Sequence, residues 1–102
     1  MVTIAAQGDF GKPRPALVIQ SDLFQNQESL TVLPITSSIY EAPFMRVTLQ
    51  PSAGNGLQKL SQVMVDKATT IKRDKVGPAF GHIAAADLVQ VERCLAVFLG
   101  IA

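Results

Sequence analysis

Lys12-Pro13-Arg14-Pro15-Ala16-Leu17-Val18-Ile19-Gln20 decides the fold class. Two prolines fix the backbone around one arginine, and an apolar β-branched run follows at once. Pro15 cannot donate to a ladder, so it belongs at the start of the strand or at an edge. The run 14–20 therefore reads as a strand, ended by Ser21-Asp22. On its N-terminal side, Gly8 to Pro13 packs two glycines and a proline into six residues, a turn or loop. Before that loop, residues 2–5 form a short strand. On the C-terminal side, 22–24 makes one helical turn, and 30–36 is an apolar strand interrupted by Pro34. Residues 46–49 alternate and stop at Pro51, and Ser52-Ala53-Gly54-Asn55-Gly56 is a turn. Residues 62–66 form a strand, and 69–71 either continue it past a bend or form another. Five or six short strands at this spacing predict a small barrel.

The chain's end follows another period. Residues 84–99 contain no Gly or Pro, and Leu88, Val91, Leu95 and Phe98 fall on one helical face. Asp87 suits the first turn through the helix dipole, and Gly100 suits the C-cap. One amphipathic helix thus closes a mainly β domain.

Composition narrows the function. With 102 residues, the chain is one domain, able to bury roughly 65 % of its unfolded surface. Apolar residues make up 48 % and charged residues 17 %, which excludes a disordered chain or a coiled coil. The net charge of +1 gives no strong global field. A single Cys94 excludes an internal disulfide, and with His82 as the only histidine a Cys/His zinc site is excluded too. No apolar run reaches membrane-spanning length, and the start lacks the features of a signal peptide, so a cytoplasmic domain is expected. A mean hydropathy of +0.28 points to apolar surface covered by a partner. Charge is uneven: residues 1–51 sum to −1 and 52–102 to +2. Between 59 and 75, Lys59, Lys67, Lys72, Arg73 and Lys75 face only Asp66 and Asp74. That suits an anionic ligand, and better still a solvated strand face with turn charges.

No phosphate-loop signature is present, since Gly8-Asp9-Phe10-Gly11-Lys12 has the wrong spacing and no helix after it. The carboxylates are scattered, so no metal or other cofactor is expected. His82 reads as a solvated or packing imidazole, and Cys94 as a packed helix residue. Three places carry chemistry. Arg14, held between prolines, is preorganised for bidentate contact with a phosphate, or forms a salt bridge at a barrel mouth. Thr36-Ser37-Ser38 offers hydroxyls where an apolar strand leaves the core, or simply caps a turn. Asp66 ends the strand of Val63-Met64-Val65, with Lys67 beside it, or merely faces water.

In this order, these pieces resemble the MazF/PemK (Kid-like) toxins of bacterial toxin–antitoxin systems. The likeness runs from Lys12–Gln20 through Val32-Leu33-Pro34-Ile35-Thr36-Ser37, then Gly56-Leu57, Gln62 to Lys67 and Thr69-Thr70-Ile71, to Phe98-Leu99-Gly100. It implies one toxin domain over 1–102, an SH3-like barrel of the MazF/CcdB type with a C-terminal helix, and a homodimer. It also implies a cognate antitoxin and metal-independent cleavage of single-stranded RNA, an mRNA interferase of the bacterial cytoplasm. By the same resemblance, Arg14 stabilises the phosphorane and supplies the leaving group's proton, directly or through water, while Thr36 orients the phosphate. Asp66 is a base or reads a base. Lys12, Ser37, Gln62, Lys67 and Thr69 line the RNA path. With one Tyr and no Trp, recognition rests on hydrogen bonds more than stacking. Two departures stand out. Relatives open with an Arg-Gly-Asp-containing segment that is missing here, and some carry an arginine where this chain has Met64. A gyrase-poisoning toxin of the same fold is one alternative, through the tail Phe98-Leu99-Gly100-Ile101-Ala102. A barrel that binds RNA or protein without catalysis is the other.

Overall fold

A computed structural model describes residues 2–5, 13–24 and 26–101. Seven strands and one helix follow in order: β1 (Val2–Ala5), β2 (Pro13–Val18), β3 (Ser29–Thr36), β4 (Arg46–Leu49), β5 (Ser61–Met64), β6 (Thr69–Lys72), β7 (Val76–Ala79) and α1 (Ala85–Leu99). Short 3₁₀ turns lie at Asp22–Phe24, Val65–Lys67 and Arg73–Lys75.

The strands are paired in the order β4-β5-β3-β2-β1-β7, with β6 also on β3. The path is open, so the expected closed barrel is corrected to a bent sheet. The reason lies in β3, which is eight residues long and has two partners on one side. Its first half pairs β6, from Ser29↔Lys72 to Val32↔Thr69, and its end pairs β5, at Ile35↔Val63 and Thr36↔Gln62. Leu33 and Pro34 lie between these two ladders. Pro34 has no N–H to leave unpaired, so the sheet parts there at no donor cost. The gap is bridged by Val65–Lys67, the 3₁₀ turn that links β5 to β6.

Pro15 falls inside β2, yet the ladder to β3 starts only at Ala16↔Pro34. On that side Pro15 lies at an edge, as its missing donor requires. β7 was not foreseen, because Val76-Gly77-Pro78-Ala79 combines two residues depleted in strands. It is tolerated because β7 is an outer strand, paired only to β1.

The larger core packs Leu17, Leu33, Ile35, Val47, Leu49, Val63 and Val65 against Val91 of α1. A smaller cluster of Ala16, Leu30 and Val32, with Val18, Ile71 and Val76, occupies the other face of β2 and β3. Only the middle of α1 is seated. Val91 is fully buried and Cys94 and Leu95 are partly buried, whereas Leu88 and Phe98 are 37 % and 49 % exposed. The expected four-residue buried face is thus two residues shorter. Gly100 ends the helix at φ 75°, its N–H meeting the Val97 carbonyl, while Ile101 N–H reaches Ala96 O at 2.9 Å. This is the left-handed cap expected of glycine.

One further tie fixes the approach to α1. Asn55 is buried; its Oδ1 accepts from Ser52 N–H and Leu57 N–H, and its Nδ2 donates to Gln50 O. Gly81 lies against Asn55 and Gly54, and His82 N–H donates to Gly54 O. A Cβ on Gly81 would collide with the Asn55 carbonyl, so the close approach requires glycine.

Candidate active site

Arg14 lies on β2 opposite Ile4, and its residue is exposed. Strand alternation puts it on the face of Ala16 and Val18. Thr36 follows Leu30, Val32 and Pro34 in the same alternation along β3. The β2–β3 register, Leu17↔Leu33 and Ala16↔Pro34, sets Arg14 level with Thr36 when carried two residues further. Thr36 Oγ1 accepts from Ser38 N–H at 3.1 Å, so its own hydroxyl proton is left to donate. Ser37 is exposed beside it.

The other candidates follow the far side of β3. Thr36 pairs Gln62, and Val32 pairs Thr69. Between them, Asp66 and Lys67 belong to the 3₁₀ turn; Asp66 is half-buried, Lys67 and Thr69 exposed. Asp66 therefore does not end a strand as expected, because β5 stops at Met64. Lys12 lies outside the described residues. His82, read as solvated or packing, is exposed, and Cys94 Sγ–H donates weakly to Pro43 O at 3.7 Å. Among the described residues, no three His, Cys, Asp or Glu side chains form a metal-binding group.

Gln62 departs most from the expectation of an RNA-lining residue. It is 4 % exposed and its amide is fully engaged. Its Oε1 accepts from Tyr40 N–H at 3.1 Å and from Arg46 Nη1 at 3.3 Å; its Nε2 donates to Tyr40 O at 2.8 Å and Thr48 Oγ1 at 3.2 Å. Gln62 is thus a positioning residue that holds the segment 37–45 after Thr36.

That segment brings together residues that sequence reasoning passed over. The Arg46 guanidinium sits 4.4 Å from the Tyr40 ring centroid and donates to Ser38 O at 2.9 Å. Ile39, Tyr40, Glu41, Ala42, Pro43, Arg46, Thr48 and Gln62 line an open cavity of about 560 Å³. The available signal was the lone tyrosine, four residues past Thr36 in an exposed stretch.

Several solved structures share this arrangement. Toxin MazF-mt6 of Mycobacterium tuberculosis superposes with a TM-score of 0.83 at 24 % identity, covering 99 % of this chain and 97 % of that one. A MazE–MazF structure from Deinococcus radiodurans gives a TM-score of 0.77 at 25 % identity, covering 99 % and 91 %. An endoribonuclease from mycobacterial species, in complex with its cognate antitoxin, gives 0.82 at 20 %, covering 99 % and 92 %. The bent sheet with one C-terminal helix is therefore the fold of the MazF toxins. In sequence, the chain is 45 % identical over 101 residues to the probable endoribonuclease MazF of Mycolicibacterium smegmatis, spanning 98 % of this chain and 93 % of that protein. The chain belongs to the family of PemK-like, MazF-like toxins of type II toxin-antitoxin systems, whose model matches residues 1–99.

Proposed function

We propose that this toxin is an endoribonuclease that cleaves single-stranded RNA without a metal ion, leaving a 2′,3′-cyclic phosphate and a 5′-hydroxyl. The supporting observation is the placement of Arg14 and Thr36 on one face of β2 and β3, in a chain 45 % identical to a probable endoribonuclease. The ribose 2′-oxygen attacks the adjacent phosphorus and loses its proton. The bond from phosphorus to the 5′-oxygen breaks, and that oxygen gains a proton. Arg14 stabilises the charge that gathers on the phosphorane and supplies the leaving oxygen's proton, directly or through water. The Thr36 hydroxyl donates to a phosphate oxygen. Asp66 takes the 2′-proton, or reads a base while water takes that proton, and Lys12, Ser37, Lys67 and Thr69 follow the backbone of the RNA. The whole chain acts as one domain, in the cytoplasm, as a homodimer silenced by a cognate antitoxin.

Purified protein freed of antitoxin should cut RNA in excess EDTA, and end-mapping should find the cyclic phosphate. Activity that vanishes with EDTA and returns with magnesium would refute the mechanism. Trapping of DNA breaks in the presence of gyrase, without RNA cleavage, would favour the gyrase-poisoning alternative.

A further inference from the structure

We propose that the open face of Tyr40, in the cavity it lines with Arg46, is a stacking subsite for one unpaired nucleobase of the RNA, beside the segment that follows Thr36. The inference rests on the RNA-cleaving reading, and it adds a contact that recognition by hydrogen bonds alone would not include.

Four observations carry it. The cavity measures about 560 Å³, within the roughly 300–1,000 Å³ of small-ligand clefts. Tyr40 is 62 % exposed while the Arg46 guanidinium lies 4.4 Å from its ring centroid. A tyrosine packed for stability would be covered; this one is backed by a cation and otherwise open. Both groups are held in place from below, because buried Gln62 binds Tyr40's own N–H and C=O and also Arg46. A platform fixed in that way loses little entropy when a base stacks on it. A chain of hydrogen bonds links the cavity wall to the candidate centre, since Arg46 donates to Ser38 O and Ser38 N–H donates to Thr36 Oγ1.

A base is the occupant these groups favour. An aromatic ring and a guanidinium plane are the two surfaces on which splayed RNA bases stack. An apolar side chain of a protein partner would fill such a cleft without using the cation.

The chain contains one Tyr and no Trp, so its intrinsic emission comes from Tyr40 alone. The test titrates antitoxin-free protein with a pool of 2′-O-methyl RNA heptamers, which lack the nucleophile, and follows tyrosine emission. Binding is read independently by anisotropy of an end-labelled pool. We expect emission to change in step with anisotropy. Tyr40→Leu should weaken binding about 5- to 150-fold, the range for loss of one base–aromatic stack. Tyr40→Phe should restore most of it. Unchanged melting of both variants is expected, since Tyr40 is exposed. Binding of Tyr40→Leu within twofold of wild type would overturn the proposal. So would RNA binding that leaves Tyr40 emission unmoved while an antitoxin peptide moves it, which would make this a protein-docking surface. Emission changes without cleavage of ordinary RNA would sink the nuclease reading and leave the subsite standing. Cleavage with no effect of Tyr40→Leu would do the reverse.

Discussion

Arg14 is a position where charge and packing separate cleanly. It is exposed at the start of β2, so Arg14→Ala removes charge and hydrogen bonds but almost no core. We expect cleavage to fall 100-fold or more, by analogy with the about 2.7–4 kcal/mol lost when an oxyanion donor is deleted, with melting unchanged. Arg14→Lys should recover little, because an ammonium lacks the planar fork. Thr36→Ala should cost less, as one neutral hydrogen bond is worth roughly 0.5–1.5 kcal/mol. Single-turnover rates and a melting curve check all three. Near-wild-type cleavage by a well-folded Arg14→Ala protein would move the site elsewhere. Asp66→Asn separates two roles: loss on every RNA marks a base, whereas a changed cleavage sequence marks a base reader. Sequencing the cut ends distinguishes them. Arg14, Thr36, Ser37 and Asp66 stand out in the sequence as candidates because prolines, hydroxyls and an acid bracket apolar runs. Tyr40, Arg46 and the true place of Gln62 do not. Their contacts join residues 16 and 22 positions apart, and no local pattern encodes such pairings.

At the scale of elements, sequence pattern located α1 and five of the seven strands among the described residues, and left β6 open, because their apolar residues form short runs bounded by turn residues or recur at helical spacing. It missed β7, where an edge position excuses a proline, and it closed a barrel that β3 holds open. The helix shows the limit of pattern alone: four residues share a face, but only Val91 and Leu95 of them pack on the core. Val91→Ala should therefore destabilise by roughly 2 kcal/mol, a fall in Tm on the order of 10 °C. Phe98→Ala, half exposed in the same stripe, should change little in dilute protein. Equal losses from the two would show that the whole face is packed within one chain. Thermal melts run dilute enough to separate the protomers, with light scattering confirming one chain, compare them directly.

Considered whole, the molecule leaves apolar surface uncovered at one end. Val97, Leu99 and Ile101 are 56 %, 61 % and 76 % exposed, beside Phe98. A monomer of this size rarely exposes so contiguous a patch. We expect a homodimer that covers this end of α1 together with strand surface. Light scattering should give twice the 10.9 kDa of one chain, and Phe98→Glu should shift it toward one. A monomer at micromolar concentration in the unmodified protein would count against this.

The supports of segment 37–45 have a common property. Arg46 grips the Ser38 carbonyl, Gln62 grips the amide and carbonyl of residue 40, Cys94 reaches the Pro43 carbonyl, and Val65 N–H meets the Met45 carbonyl. Every one of these anchors holds main chain, which all amino acids share. Side chains along the segment can therefore be exchanged in the course of descent without loosening its attachment. Arg14 and Thr36 belong to strands that such exchanges do not touch. The fold thus separates the proposed cutting residues, Arg14 and Thr36, from a surface free to acquire new preferences, and on that reading a lineage can change what it attacks while keeping how it attacks.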